Sequence, residues 1–206
     1  MPRPLLAGLC GLLLLVGAPA WAAVSWDTST VSDNADSDTS DSFSHTIGSG
    51  SNVYAGACVV TRGGSSITVS SVNIGGSAAT QLGTADTTSQ GGGIIRVEIW
   101  GRAMGSTTGA VTINPTVSAA DRFRTTAFSL FGVNQATPTG TANSAEGSST
   151  TLTATVTSAV NELVLGCLGV GTGTSGWTVG SGETQRWLNS TDTNNTVEMG
   201  MTEPGA

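Results

Sequence analysis

The stretch that decides the fold reads Asn52-Val53-Tyr54-Ala55-Gly56-Ala57-Cys58-Val59-Val60, and it returns as Asn161-Glu162-Leu163-Val164-Leu165-Gly166-Cys167-Leu168-Gly169. Each run is almost unbroken in apolar residues and places a cysteine six residues after an asparagine. An antiparallel strand with one face in water alternates polar and apolar residues, and these two runs do not. We therefore expect both faces of these strands to be covered, by a second sheet on one side and by loops or a neighbouring protein on the other.

Short runs of alternating residues surround these two stretches. They lie at 24–27, 42–47, 67–74, 94–104, 110–117, 123–133, 152–156, 177–179, 184–188 and 196–201, separated by glycine-rich turns. A break in the alternation at Ser70-Ser71 predicts a β-bulge. Since no segment after residue 22 has an apolar stripe of helical period, the sequence predicts an all-β fold, an antiparallel β-sandwich of jelly-roll-like form.

The two apolar runs belong to a longer internal correspondence. Three landmarks recur at a constant offset, namely Ile47, Asn52 and Cys58 as Val156, Asn161 and Cys167. Two dipeptides come next in the same order, Thr80-Gln81 as Thr184-Gln185 and Val97-Glu98 as Val197-Glu198. A shared order of landmarks predicts a sandwich built from two related halves.

The two halves differ in the number of strands after their last shared dipeptide. Two predicted strands, 110–117 and 123–133, come after Glu98, whereas only the segment from Met201 to Ala206 comes after Glu198. We therefore expect residues 23–206 to form a single β-sandwich domain that lacks its last two strands. Either the sequence is a fragment, or a strand from elsewhere completes the fold, because an unpaired strand exposes backbone groups that folded domains protect.

Residues 1–22 have the features of a secretory signal peptide. A positive charge at Arg3 precedes an apolar stretch from Leu5 to Ala18, and Ala20-Trp21-Ala22 fits a cleavage site. The apolar stretch is shorter than the roughly 20 residues that a membrane-spanning helix needs, so no membrane span is predicted. The sequence therefore predicts a secreted, extracellular or cell-surface protein.

The charge balance argues against nucleic acid as a partner. The chain has 14 acidic residues against 7 basic ones, all of them arginine, and a formal net charge of −7. Phosphate binding needs clustered basic side chains, which this composition does not supply.

Two cysteines remain beyond residue 22, and an exported chain with two cysteines can form one disulfide. The pair would be Cys58 and Cys167, and two buried thiols are the alternative. If the two apolar runs are neighbouring antiparallel strands, these cysteines can face each other within the Cα separation of roughly 4.4–6.8 Å that a disulfide requires.

Aromatic residues provide the strongest candidates for ligand binding. Sandwich lectins bind sugars on exposed aromatic faces, and each tryptophan can equally be a core residue, because it buries a large apolar area. Trp100 is the best single candidate because it alternates with two charged residues on one strand. The predicted ligand-binding residues are Trp100, Glu98, Arg96, Trp177 and Trp187, and Trp26 and Tyr54 are further aromatic candidates.

Other polar residues offer weaker chemistry. His45, the one histidine, lies on an alternating strand, which predicts a packed residue rather than a catalytic base. Glu98 and Glu198 are related by the repeat and are a candidate pair for glycoside hydrolysis, with polar strand faces as the simpler interpretation. The segment 28–41 has aspartates for calcium but lacks the EF-hand pattern, so it is predicted to be a solvated loop. We predict no catalytic residue, no metal and no cofactor.

Several segments are shared with a known kind of module. They are Val24-Ser25-Trp26-Asp27, 44–52, Arg96-Val97-Glu98-Ile99-Trp100, 128–138, 161–166, Glu183-Thr184-Gln185-Arg186-Trp187 and Thr202-Glu203-Pro204-Gly205-Ala206. On these residues the chain resembles a glycine- and threonine-rich β-sandwich module of secreted bacterial surface proteins. The resemblance covers essentially the whole chain after residue 22. It implies no catalytic motif, and it implies further strands beyond the Glu-Pro-Gly-Ala segment.

These patterns together predict a non-enzymatic structural or adhesive module of the bacterial cell surface. Its expected partners are other surface domains or protomers. A carbohydrate-binding module for extracellular polysaccharide is the alternative, and a secreted hydrolase is the third possibility. Apolar strands covered on both faces favour an assembling or multidomain protein over a freely diffusing enzyme.

Overall fold

The chain is described by a computed structural model over residues 23–32, 35–87, 93–147, 152–171, 177–189 and 197–205. The predicted signal peptide, residues 1–22, lies outside the described residues. Within these ranges every strand pairing is antiparallel and no helix occurs, which confirms the predicted all-β, sandwich-like fold. The strands are β1 (Ser25–Val31), β2 (Ala35–Ser40), β3 (Phe43–Ile47), β4 (Val53–Gly63), β5 (Val69–Ile74), β6 (Ser77–Ala78), β7 (Thr80–Asp86), β8 (Ile94–Gly105), β9 (Gly109–Phe131), β10 (Leu163–Val170), β11 (Thr184–Asn189) and β12 (Val197–Pro204).

The longest strand, β9, joins two layers of the sandwich. Its first part pairs with β3 and β5, whereas its second part pairs with β1 and β4. The sequence predicts two separate strands here, 110–117 and 123–133, because small exposed residues interrupt the apolar alternation between them. That prediction is wrong, since pairing with β2 carries the ladder through the interruption with two register shifts.

The nine-stranded sheet folds over along β9 and forms two layers, and the three-stranded sheet forms a third. The front layer contains β3, the first part of β9, β5 and β6; the middle layer contains β1, the second part of β9, β4, β8 and β7; the back layer contains β10, β12 and β11. The front cluster, which includes Ile74 and Ile113, fills the space between the front and middle layers. The back cluster, which includes Phe128 and Trp187, fills the space between the middle and back layers.

The central strand β4 is buried along its whole length. Its odd-numbered residues from Val53 to Val59 belong to the front cluster, while its even-numbered Tyr54, Cys58 and Val60 belong to the back cluster. Apolar packing on both faces explains why this run shows no alternation. The prediction of two covered faces is therefore confirmed for β4. The second cover, however, is the back layer of the same chain rather than loops or a neighbouring protein.

Several segments test the predicted secondary structure in detail. The prediction of a solvated loop at 28–41 is wrong, because most of its described residues belong to β1 and β2, which both pair along β9. The predicted strands at 152–156 and 177–179 are irregular, and no ladder partner among the described residues holds them extended. The predicted bulge is confirmed by a register shift between Val69 and Ser71 opposite β9.

The strand order β4-β8-β7 recurs as β10-β12-β11, and we call these sets the first unit and the second unit. Each unit has one bulge in its third strand. In β7 it lies between Gln81 and Gly83, and in β11 it lies between Gln185 and Trp187. Asn52 and Asn161 precede the first strand of each unit, and both have a positive φ, 53° and 72° respectively. The two units therefore share their strand order, the bulge in the third strand and the turn before the first strand.

One dipeptide of the predicted correspondence is misplaced by a single residue. Glu98 lies opposite Val59 in the first unit. The residue that corresponds to Val59 is Leu168, and Met199 rather than Glu198 lies opposite it. Since neighbouring residues of a strand face opposite sides, the two glutamates point to opposite faces of equivalent strands. The predicted pairing of Glu98 with Glu198 as equivalent residues is therefore wrong.

Candidate functional site

The predicted ligand residues of β8 lie together on one face of that strand. Arg96, Glu98 and Trp100 alternate along it, and this face points towards the front layer. Glu98 is 1% exposed, and Trp100 packs half-buried against the front cluster. The interpretation of this face as an exposed polar one is therefore wrong, because the front layer covers it.

Glu98 is the acceptor at the centre of this group. Its Oε1 accepts hydrogen bonds from the backbone N–H of Val69 (2.9 Å) and from Arg96 Nε. Its Oε2 accepts from Gln81 Nε2 (2.7 Å) and from Trp100 Nε1 (2.9 Å). Four bonds are about what a carboxylate can accept, so Glu98 is saturated. Since the donors belong to β5, β7 and β8, this carboxylate ties the front layer to the middle layer.

Arg96 extends the group to the edge of the middle layer. Its guanidinium contacts Asp86 of β7 as well as Glu98. Burial alone would lower the pKa of Arg96, but hydrogen bonds and charge interactions with Glu98 and Asp86 raise it. Sequence reasoning missed Gln81 and Asp86 because they lie on another strand. Only the register that places Asp86 opposite Arg96 reveals the pair.

The other two predicted ligand residues lie elsewhere. Trp187 of β11 is 5% exposed, and its ring centroid lies 6.3 Å from that of Phe128 and 6.0 Å from that of Trp26. Arg186 covers Trp26, with its guanidinium carbon 5.1 Å from the ring centroid. Trp177 is half-buried in irregular chain between β10 and β11. The structure therefore divides the five predicted residues among three surroundings rather than bringing them into one site.

The two cysteines form a disulfide between the middle and back layers. The Cα atoms of Cys58 and Cys167 are 6.3 Å apart. Their strands are not neighbours in one sheet, because β4 pairs with β8 and β9 while β10 pairs with β12; they meet face to face instead. The bond therefore joins equivalent positions on the facing sides of the first and second units.

Glu198 of β12 is a buried carboxyl group beside this disulfide. One of its oxygens lies within 4.8 Å of both sulfur atoms, and Trp187 Nε1 donates to Oε1 at 3.1 Å. Burial raises the pKa of Glu198 to about 8, against the opposing effects of Thr126, Trp187 and Arg124. The group is therefore largely protonated at neutral pH. The two sulfurs are bonded to each other, so this cluster does not offer the thiolates that a metal would bind.

His45 belongs to a buried chain of hydrogen bonds. Ser129 Oγ donates its one proton to Asp27 Oδ2 at 2.7 Å. In its second hydrogen bond it must therefore accept, and the donor is the N–H at Nε2 of His45, at 3.0 Å. His45 Nδ1 then accepts from Thr30 Oγ1 at 2.9 Å. Burial lowers the pKa of His45, although the charge of Asp27 opposes this. The aspartate bonds to the serine rather than to the histidine, so the order differs from that of a Ser-His-Asp triad. These partners are distant in the sequence, and no local pattern indicates them.

A shallow groove runs along β7, the outer strand of the middle layer. Residues 82–86 form one wall, and the irregular segment 141–146 forms the other. Each of its two parts has a volume of about 380 Å³. The walls approach each other at Gly83, where a Cβ atom would lie 3.0 Å from Cβ of Ala142. The groove is open, and the residues from 141 to 144 are exposed.

Comparison with known proteins adds little to this description. No protein-family profile matches the chain, and none of the curated proteins matches it in sequence. The crystal structure of dimeric latent PorU from Porphyromonas gingivalis is similar at a TM-score of 0.37 and 9% identity. That likeness covers 92% of this chain and 20% of the PorU chain, so this chain spans about a fifth of that protein's length. A likeness of this degree carries no inference about activity.

Membrane-spanning helices are absent from the described part of the chain. Among the residues that the structure describes, no helix is both long enough and apolar enough to cross a membrane.

Proposed function

We propose that this chain is a non-enzymatic structural or adhesive module of an exported bacterial surface protein. The observation that carries the proposal is the Cys58–Cys167 bond, which joins equivalent positions of the two units across their interface. Disulfides persist in oxidising compartments outside the cytosol, in agreement with the signal peptide predicted for residues 1–22. A covalent bond between layers serves a protein that has to resist separation of those layers.

The side chains with chemical potential support the same proposal. Glu98, Glu198 and His45 are at most 1% exposed, and each forms hydrogen bonds to other strands. Catalysis needs a group that reaches substrate, whereas these groups are enclosed by the layers that they connect. Their placement favours cohesion of the fold over turnover.

Single-molecule stretching of the chain from its two ends tests the structural role. The disulfide closes a loop with a sequence separation of 109 residues. With the bond intact, the contour length gained on unfolding should be shorter by about 39 nm than without it, at roughly 3.6 Å per extended residue. The double variant Cys58→Ser/Cys167→Ser is the matched control and should release the full length. Equal lengths for the two proteins would show that the bond does not hold the layers in the exported protein.

Two binding and activity assays separate this proposal from its alternatives. Hydrolysis of generic ester or glycoside substrates, abolished by His45→Ala or Glu98→Gln, would replace the proposal with an enzyme. Binding in polysaccharide pull-downs, lost on Trp100→Ala, would promote the carbohydrate-binding module. We expect no hydrolysis, because His45 and Glu98 are buried, and no sugar binding through Trp100, because its indole N–H is already donated to Glu98.

A further inference from the structure

Within the part of the chain that the structure describes, β10 is an edge strand of the back layer, and its own residues include no protective device. Among the described residues it pairs with β12 alone, and its ladder runs without a register shift. Its residues, Leu-Val-Leu-Gly-Cys-Leu-Gly-Val, include no charge and no proline. Edge strands of stable proteins are normally protected by charges, prolines or bulges. The edge of β10 therefore has the properties of a strand that is built to pair.

The backbone groups that point away from β12 can be assigned. The carbonyl of Glu162 accepts a hydrogen bond from the backbone N–H of Gly205, on the side of β12 (2.9 Å). Successive residues of a strand direct their N–H and C=O groups to alternate sides. The outward groups are therefore those of Leu163, Leu165, Cys167 and Gly169.

The repeat shows what occupies the same edge in the first unit. There β4 pairs with β9, and the carbonyl of Asn52 accepts from the backbone N–H of Val133 at 3.0 Å. In the second unit the equivalent carbonyl of Asn161 accepts from the backbone N–H of Val24 at 2.9 Å. The first hydrogen bond of the ladder is thus reproduced on β10. Among the described residues, no strand continues it as β9 does on β4.

By the equivalence of the two units, a strand added beside β10 would face β7, along which the open groove between residues 82–86 and 141–146 runs. By the equivalence of the two bulges, Gly83 of β7 corresponds to Trp187 of β11. Trp187 is covered by Phe128 of β9, whereas Gly83 contacts Ala142 of the exposed segment 141–146, which leaves the groove open. Leu82 of the same strand is a partly buried member of the back cluster. An added strand that takes the place of β9 would cover these residues.

We propose that the edge of β10 binds a β-strand supplied by another polypeptide, antiparallel to β10 and in the register that β9 holds on β4. The partner is an extended segment with apolar side chains at alternate positions, as Phe128 and Leu130 of β9 provide for the back cluster. Segment 141–146 moves aside to admit it. The inference rests on the proposed function, because it names the surface through which a structural module joins its neighbour.

A synthetic peptide with the sequence of residues 122–133 is the probe, since this segment contains the part of β9 that pairs with β4. The carbonyl of Thr125 accepts from Ser32 N–H, on the side away from β4, so the even-numbered residues direct their backbone groups towards β4. N-methylation at Thr126 and Phe128 should therefore weaken binding at least roughly tenfold, through the loss of two hydrogen bonds. N-methylation at Thr125 and Ala127 is the matched control and should leave binding nearly unchanged. Fluorescence anisotropy of the labelled peptide measures both.

The matching variant of the protein is Leu165→Pro, which removes one outward N–H and no donor of the β10–β12 ladder. It should weaken peptide binding to a similar extent while near-ultraviolet circular dichroism stays that of the native protein. Should the variant fail to fold, the two N-methylated peptides still decide the matter. Absence of saturable binding up to about 1 mM peptide, or equal losses from both methylation patterns, would overturn the proposal.

Sedimentation of the protein alone tests the competing occupant. A dimer that dissociates in Leu165→Pro would show that a second copy covers the edge, and would overturn the proposal of a separate partner. A monomer that binds the peptide supports it. The proposed function fails independently: if the peptide does not bind but stretching still shows the disulfide-locked length, the structural role stands and only the docking edge is refuted.

Discussion

Removal of the disulfide is the perturbation whose magnitude can be worked out most directly from the structure. We consider Cys58→Ala/Cys167→Ala, because Cys58 is fully buried in the back cluster and alanine adds no polar group there. A sequence separation of 109 gives a loop-closure entropy worth about 4.8 kcal/mol at 25 °C. Since domains are typically stable by about 5–15 kcal/mol, the variant should lose a third or more of its free energy of unfolding.

Guanidinium denaturation monitored by tryptophan fluorescence measures this loss. The single variant Cys58→Ala should be destabilised nearly as much as the double variant, because either substitution breaks the bond. The slope of the transition should become steeper, since the unfolded chain without the bond exposes more surface. A loss below about 1 kcal/mol in the double variant would refute the reasoning and show that packing alone holds the two units together.

Three further predictions concern Glu198, Glu98 and Trp187, which are buried side chains. Because the pKa of Glu198 is raised, the folded protein holds a proton that the unfolded chain releases. The free energy of unfolding should therefore fall as the pH rises from about 4.5 to about 8. Glu198→Gln should flatten this dependence in denaturation experiments repeated across that pH range. Glu98→Ala leaves Arg96 without its buried acceptor and should lower the free energy of unfolding by roughly 3–5 kcal/mol, measured by thermal unfolding. Glu98→Gln should lower it less. Equal stability of Glu98→Ala and the parent protein would contradict the role of this carboxylate. Trp187→Ala should cost about 3–5 kcal/mol and remove the near-ultraviolet signal of the stacked rings, whereas Trp177→Ala, at a half-buried position in irregular chain, should change stability by less than about 1 kcal/mol.

The local features of the fold could be predicted from the sequence because they depend on neighbouring residues. The unbroken apolar run at β4 indicated two buried faces, and the slip at Ser70-Ser71 indicated the bulge that the register shows. The strand β2 could not be predicted in this way. Its acidic residues resemble a solvated loop, and only pairing along β9 makes the segment extended. Long-range ladders of this kind leave no periodic signal in the strand that joins them.

The candidate ligand site shows the same limit more sharply. Alternation placed Arg96, Glu98 and Trp100 on one face of β8, and the structure brings them together. The alternation could not indicate that the front layer covers this face, because the covering residues, such as Val69, belong to a strand that is distant in the sequence. Sequence analysis named Glu198 but did not indicate that its carboxyl group is buried, for a similar reason. Its one-residue displacement within the repeat turns it inward, and pairwise matching of dipeptides does not detect a change of face.

The disulfide also determines which second unit a given first unit packs against. The two units are joined by the long connection between β9 and β10, and an interface between equivalent faces could be made equally well with the second unit of another molecule. Such an exchange would link chains into swapped pairs while preserving every local contact. Once Cys58 and Cys167 are bonded within one chain, the two units of that chain can no longer separate and exchange partners. Oxidation thus fixes the identity of the partner halves, and a protein that folds before its cysteines are oxidised remains open to exchange with its neighbours.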